Sequence, residues 1–160
     1  MVLVKASRFG TIRFIEPMCA LPVQNIPEGD DWLYEVKFDG CRCLAGRDKN
    51  GATLWSRRGN DFTSQFPHIA RACEGLPDGT LLDGEIVAID KNGRISFNLL
   101  QHHRSHAQAL LFYAFDVIVY RGKNLLEVPL EKRRKLLNEL FEDLGKKANP
   151  IGFHSFLDRP

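Results

Sequence analysis

The chain of 160 residues has room for one domain with a substantial core. Its 44% hydrophobic and 26% charged residues are ordinary for a globular protein, and no run nears the ~18 apolar residues of a membrane span. A net charge of +2 is too small to point to nucleic acid by itself, although a local basic face is compatible with it.

The N-terminus lacks the charged-then-apolar layout of a signal peptide. Cys19, Cys41, Cys43 and Cys73 form no CxxC pair, so reduced thiols and a cytoplasmic location are expected. No repeat or low-complexity segment is visible.

In chain order, residues 1–30 read as an irregular lead-in punctuated by Pro17, Pro22, Pro27 and Gly29. From Trp32 the pattern alternates. Trp32, Tyr34, Val36 and Phe38 are expected to seat one strand face in a core while Glu35, Lys37 and Asp39 share the other. Asp48-Lys49-Asn50-Gly51 predicts a tight turn between strands over Arg42–Arg47 and Ala52–Ser56. Phe62, Phe66, Ile69 and Cys73 recur at helical spacing, with Asp61 or Thr63 as the expected cap and Pro67 in the first turn. Leu81–Asp90 reads as a strand, Lys91-Asn92-Gly93-Arg94 as a hairpin turn and Ile95–Phe97 as its return.

Leu110–Tyr120 is nearly continuous apolar, as in a strand buried on both faces. A helix entered through Pro129 carries the stripe Leu130, Leu137, Leu140, Phe141 and Leu144 and ends at Gly145. Its basic run, Glu131-Lys132-Arg133-Arg134-Lys135, is expected to be a solvated face. Residues 146–160 carry little signal. The fold class expected is α+β, with antiparallel β-sheets flanked by helices. His102 and His106 stand at helical i, i+4 spacing, but no Cys or carboxylate joins them at ligand spacing, so they are read as surface histidines.

Four clusters carry chemistry. Glu35-Val36-Lys37-Phe38-Asp39-Gly40-Cys41-Arg42 packs a lysine, two carboxylates and an arginine into a strand-like run, where unpaired charge is costly. A lysine becomes a nucleophile once its amine is deprotonated. Ser56-Arg57-Arg58-Gly59 puts two arginines at a strand end, suited to an anion. Asp83-Gly84-Glu85 places two carboxylates on one face of an apolar strand, and Phe115-Asp116 sets one carboxylate in the most apolar run. Singly, each has a structural explanation: a surface hairpin pair, a solvated loop, a hairpin edge, a satisfied core Asp.

In this order and spacing, Glu-x-Lys-x-Asp-Gly-x-Arg, Ser-Arg-x-Gly, Asp-Gly-Glu and Phe-Asp together resemble the covalent nucleotidyltransferase superfamily of ATP-dependent DNA ligases, RNA ligases and capping enzymes. The connecting stretches, among them Trp32-Leu33-Tyr34-Glu35, Leu76–Val87, Phe97–Gln101 and Pro129-Leu130-x-x-Arg133-Arg134, are most similar to bacterial and archaeal ligases of the end-joining type. The resemblance spans Pro17 to Leu144 and implies the N-terminal portion of a nucleotidyltransferase (ATP-grasp-like) adenylation domain, a single domain over 1–160 without an oligonucleotide-binding domain.

By that resemblance Lys37 would attack the α-phosphate of ATP and form lysyl-AMP, for transfer to a DNA 5′-phosphate and nick sealing in repair or recombination. Glu35 would lie near the adenine amino group, and Phe115 would stack on the ring. Arg42 and Arg57 would contact the nucleotide or the incoming phosphate. Glu85 would bond the ribose and help place Mg²⁺, and Asp39 would organise the lysine's surroundings. Asp83 and Asp116 are weaker candidates. Two later motifs of the family, an acidic Glu-Gly segment and Lys-x-Lys, have no copy after Phe115. Self-association or a partner chain supplying them is therefore expected, and exposed sheet edges would favour it. The alternatives are a truncated, non-catalytic nucleotide-binding subunit, or an RNA ligase or GTP-using capping enzyme.

Overall fold

The computed structural model of the chain describes residues 10–29, 31–102, 109–145 and 149–153. Five strands form a path in the order β2 (Gly51–Ser56), β1 (Cys41–Asp48), β3 (Thr80–Ile89), β4 (Ala109–Tyr120) and β5 (Lys123–Asn124), each antiparallel to its neighbour. A sixth, β6 (Ile151–Phe153), joins β4 in parallel, from a stretch in which the sequence carried little signal. Helices α1 (Pro67–Cys73), α2 (Phe97–Gln101) and α3 (Leu130–Leu144) complete the α+β architecture.

Both predicted turns form, each closed by an aspartate. Asp48 Oδ1 accepts from the Asn50 amide at 2.8 Å, and Asp90 Oδ1 accepts from the Asn92 and Arg94 amides at 2.8 and 2.9 Å. After the second turn the expected return strand shrinks to one bridge, Ile89 with Ile95. Ser96 ends it by capping α2, accepting from the Leu99 amide, so Phe97 opens a helix instead. At α1, Pro67 occupies the first turn as expected, but neither Asp61 nor Thr63 caps it. Asp61 accepts from the Thr63 amide, and the Thr63 hydroxyl accepts from the Leu54 amide, so both side chains are engaged in the loop. Leu137 and Leu140 of α3 are buried and Gly145 takes a φ of 51° at its end, whereas Leu130 is 40% exposed and leaves the stripe.

The sheet has apolar layers on both faces. Cys43, Ala45, Leu82, Ile86, Phe112 and Ala114 pack with α1 and α3. On the other face Leu44, Leu81, Ile118 and Val119 are covered by Ile12, Phe14 and Ile15 of the lead-in. That segment has no helix or strand among its described residues, yet the Ile12 amide anchors it to Asp48 at 2.8 Å.

The run from Trp32 to Phe38 is not the strand its alternation predicts. Trp32 is 53% and Val36 40% exposed, so these residues seat no core. Alternation selects a face only where the sheet offers one, and this chain joins the sheet at Cys41. Instead, Phe38 stacks on Tyr113 at 4.9 Å between ring centroids, and the Tyr34 hydroxyl donates to the Pro27 carbonyl.

Candidate functional site

Gly40 determines how Lys37 reaches the sheet. A Cβ built there would lie 2.3 Å from the Ile86 carbonyl oxygen and 2.9 Å from Glu85 Cγ, so only glycine lets the chain cross this close to β3. The requirement is close approach, since its backbone has no positive φ. Gly84 serves β3 in the same way on its other side, where a Cβ would meet the Tyr113 carbonyl oxygen at 2.4 Å. The β3–β4 register passes from Asp83–Asp116 to Gly84–Ala114, which makes Phe115 the extra residue of a bulge.

These devices converge. Lys37, Glu35, Arg42, Arg57, Glu85 and Phe115 line one cavity of about 510 Å³, with Cys19 and Ala20 of the lead-in on its wall. A neighbouring cavity of about 900 Å³ shares Cys19, Arg42, Arg57 and Glu85 and adds Arg58 and Asn60. Asp39 lines neither, but lies near enough for its charge to act on Glu85.

Ser56 shapes the arginine turn: its hydroxyl oxygen accepts from the Arg58 and Asn60 amides at 3.3 and 3.0 Å. One nitrogen of Arg57 lies 2.9 Å from Cys19 Sγ. Arg42 and Glu85 face each other across β1 and β3. The Arg42 fork grips Asp83, with Nε and Nη2 at 2.6 and 2.7 Å from the two carboxylate oxygens. Its guanidinium also covers one face of Phe115, 4.6 Å from the ring centroid.

Burial pushes the Asp83 carboxyl up from its ordinary value, and the bonds to Arg42 offset this only in part. Burial works against the Arg42 charge, yet the hydrogen bond and charge of Asp83 outweigh it and hold that pKa above normal. Glu85 is likewise raised, by burial first and by Asp39, against the opposing pull of the Gly40 amide, Arg42 and Lys37.

In the interval between its unfolded and folded pKa values, Asp83 holds more protons folded than unfolded. Its contribution to stability therefore falls as pH rises through that interval and levels off above it. Arg42→Met leaves this carboxylate without its cation and extends the interval upward. The variant should lose about 2–3 kcal/mol near neutral pH, on the low side because Arg42 is partly solvated. The loss should shrink at about pH 5, nearer the carboxyl range. Denaturant melts at both pH values test this, and an equal loss at the two contradicts it.

Arg133 and Arg134 correct the solvated-face reading of α3. Arg133 binds both carboxylate oxygens of Asp116 at 2.8 Å. Arg134, 4% exposed, donates to the Phe115 carbonyl and pairs with Glu35 at 3.1 Å. Burial lowers the Arg134 pKa, against the raising pull of Glu35 and Asp116. The spacing of Arg134 to Leu137 and Leu140, which puts it on the buried stripe, was the available signal; Lys132 and Lys135 are exposed as expected. His102 Nδ1 lies 2.9 Å from the Asn98 carbonyl oxygen, while His106 lies outside the described residues.

A family model, the ATP dependent DNA ligase domain, matches residues 17–154. The multifunctional non-homologous end joining protein LigD of Pseudomonas aeruginosa is 35% identical over 147 residues, covering 90% of this chain and 17% of that protein. The SPbeta prophage-derived DNA ligase-like protein LigB of Bacillus subtilis is 30% identical over 130 residues, covering 79% and 47%. Among solved structures, mycobacterial DNA ligase D complexed with ATP and MES superposes with a TM-score of 0.67 at 34% identity, covering 80% of this chain and 41% of that one. The chain thus spans less than half the length of each of these relatives. Among the described residues, no helix is long and apolar enough to cross a membrane.

Proposed function

The chain belongs to the ATP-dependent DNA ligase domain family, and on that footing we propose that Lys37 is its adenylation nucleophile. One observation carries the reading: the lysine shares a cavity with two carboxylates, two arginines and the Phe115 ring, drawn from five separate segments. That a relative of the same fold binds ATP supports it.

Adenine stacks on Phe115, on the face Arg42 leaves uncovered, with Glu35 accepting from its amino group. Glu85 accepts from the ribose, and Arg42 and Arg57 hold the phosphates. The Nζ of Lys37, having given one proton to solvent, attacks the α-phosphorus and gives up a second as the phosphoramidate nitrogen forms. A P–N bond forms, the bond to the bridging oxygen breaks, and pyrophosphate leaves. Lysyl-AMP then passes its adenylate to a DNA 5′-phosphate, and a 3′-hydroxyl displaces AMP to seal the strand.

Among the described residues no group of three or more His, Cys, Asp or Glu could cage a metal. Mg²⁺ needs only one or two carboxylates beside substrate phosphates, so Glu85 fits it. Bound there, the ion would neutralise phosphate charge. Full sealing is proposed to need the later Glu-Gly and Lys-x-Lys motifs as well, from further polypeptide, a second copy or a partner chain.

Incubation with α-labelled ATP or GTP and Mg²⁺ tests the reading. Covalent label from ATP and not GTP is expected, because the Glu35 carboxylate repels the carbonyl that guanine presents in place of the amino group. Equal labelling from GTP overturns the adenine assignment. No label from either leaves a nucleotide-binding subunit without turnover.

A further inference from the structure

We propose that Arg134 is a positioning residue that fixes the adenine pocket by tying the Glu35 carboxylate to the Phe115 backbone, an inference that rests on the adenylation reading above. One nitrogen, Nη1, makes both contacts, to the Phe115 carbonyl oxygen and to Glu35 Oε1 at 3.1 Å. Glu35 and Phe115 stand eighty positions apart in sequence and line the same cavity.

Neither is held by regular structure alone. Glu35 lies outside the strands with its side chain 39% exposed, and Phe115 is the extra residue of the β4 bulge. Arg134 links them from the rigid side, because α3 packs on the sheet through Leu137 and Leu140. Its neighbour Arg133 pins Asp116 by a two-pronged bond, so consecutive helix residues hold consecutive strand residues.

A buried guanidinium is tolerated where its bonds are made, so its position constrains the groups it bonds. The arginine touches neither base nor phosphate in this scheme. It acts by restricting where the carboxylate that reads adenine can point, and how the ring that stacks on it is set.

The test compares Arg134→Met, which keeps an apolar stem of similar reach, with Arg134→Lys, which restores a cation. Equilibrium binding of ATP and of GTP is measured for each, alongside label transfer to Lys37 at saturating ATP. In Arg134→Met the preference for ATP over GTP should fall about ten- to hundredfold, the worth of one hydrogen bond to a charged group. The labelling rate at saturation should stay within about threefold, since the contact acts in binding rather than in the chemical step. Arg134→Lys should recover part of the preference. Glu35→Gln should lose a similar share, and adding Arg134→Met to it should cost little more, because the two act through one contact.

Undiminished ATP preference in Arg134→Met overturns the inference while leaving the adenylation reading intact. Wild-type chain that binds GTP as well as ATP and takes no label overturns both. If the methionine variant does not fold, Arg134→Lys decides, with Glu35→Gln as the reference for a lost adenine contact: wild-type selectivity in Arg134→Lys overturns the inference, and a preference reduced toward that of Glu35→Gln supports it.

Discussion

Lys37→Arg should abolish covalent labelling from ATP while leaving ATP affinity within about threefold of the wild type, the pattern of a group used in the chemical step rather than in ground-state binding. Arginine keeps the positive charge at the cavity wall, so attraction for the phosphates persists. Its guanidinium does not deprotonate in proteins and supplies no nucleophilic lone pair. The alternative of a surface lysine paired across solvent predicts the reverse: unchanged labelling, from some other residue. Gel autoradiography of the denatured protein, together with equilibrium dialysis of ATP, separates the two. Residual label above about one part in a thousand, well short of the rate factor a covalent nucleophile supplies, would count against Lys37.

Gly40→Ala should reduce labelling about a hundredfold, the scale expected when a reacting group is displaced by roughly 1 Å. The added methyl would stand 2.3 Å from the Ile86 carbonyl oxygen, a backbone atom inside the β1–β3–β4 pairing that cannot swing aside. The crossing, which lies outside the strands, has to give way, and it carries Lys37 three residues upstream. The same movement separates the Gly40 amide from the Glu85 carboxylate. The core lies on other elements, so thermal stability should fall far less than activity. A Gly40→Ala protein that labels at the wild-type rate would mean that the close crossing does not set the lysine's position.

Much of the fold is legible because local chemistry and tertiary context agree. Asp48 and Asp90 close the turns that their Asp-x-Asn-Gly patterns announce, and the apolar run into Tyr120 is the longest strand, β4, although it is buried on both faces only over Val117–Val119. The candidate residues of the site are also legible, as motif spacing, and the cavity gathers all six proposed to be catalytic or nucleotide-binding.

What escapes the sequence depends on contacts between distant segments. Nothing in Trp32–Phe38 says that the sheet starts only at Cys41. Nothing in an apolar strand marks Phe115 as the bulged position, because the bulge is a property of its pairing with β3. The lead-in has no periodic pattern, yet it covers one sheet face and walls the cavity with Cys19. Arg133 and Arg134 look like part of a basic helix surface until Asp116, Phe115 and Glu35 are brought beneath them. A sequence window weighs charge against water; the folded chain offers these two arginines carboxylates and a carbonyl instead.

The lysine of the Gly40 crossing, in the cavity with Glu35 and Phe115, is proposed to carry the adenylate. Proteolytic mapping of the chain after incubation with ATP and Mg²⁺ tests it most directly. The expected result is the added mass of AMP on the peptide containing Lys37, acid-labile as a phosphoramidate is. AMP recovered on any other residue, with the Lys37 peptide unmodified, would contradict it.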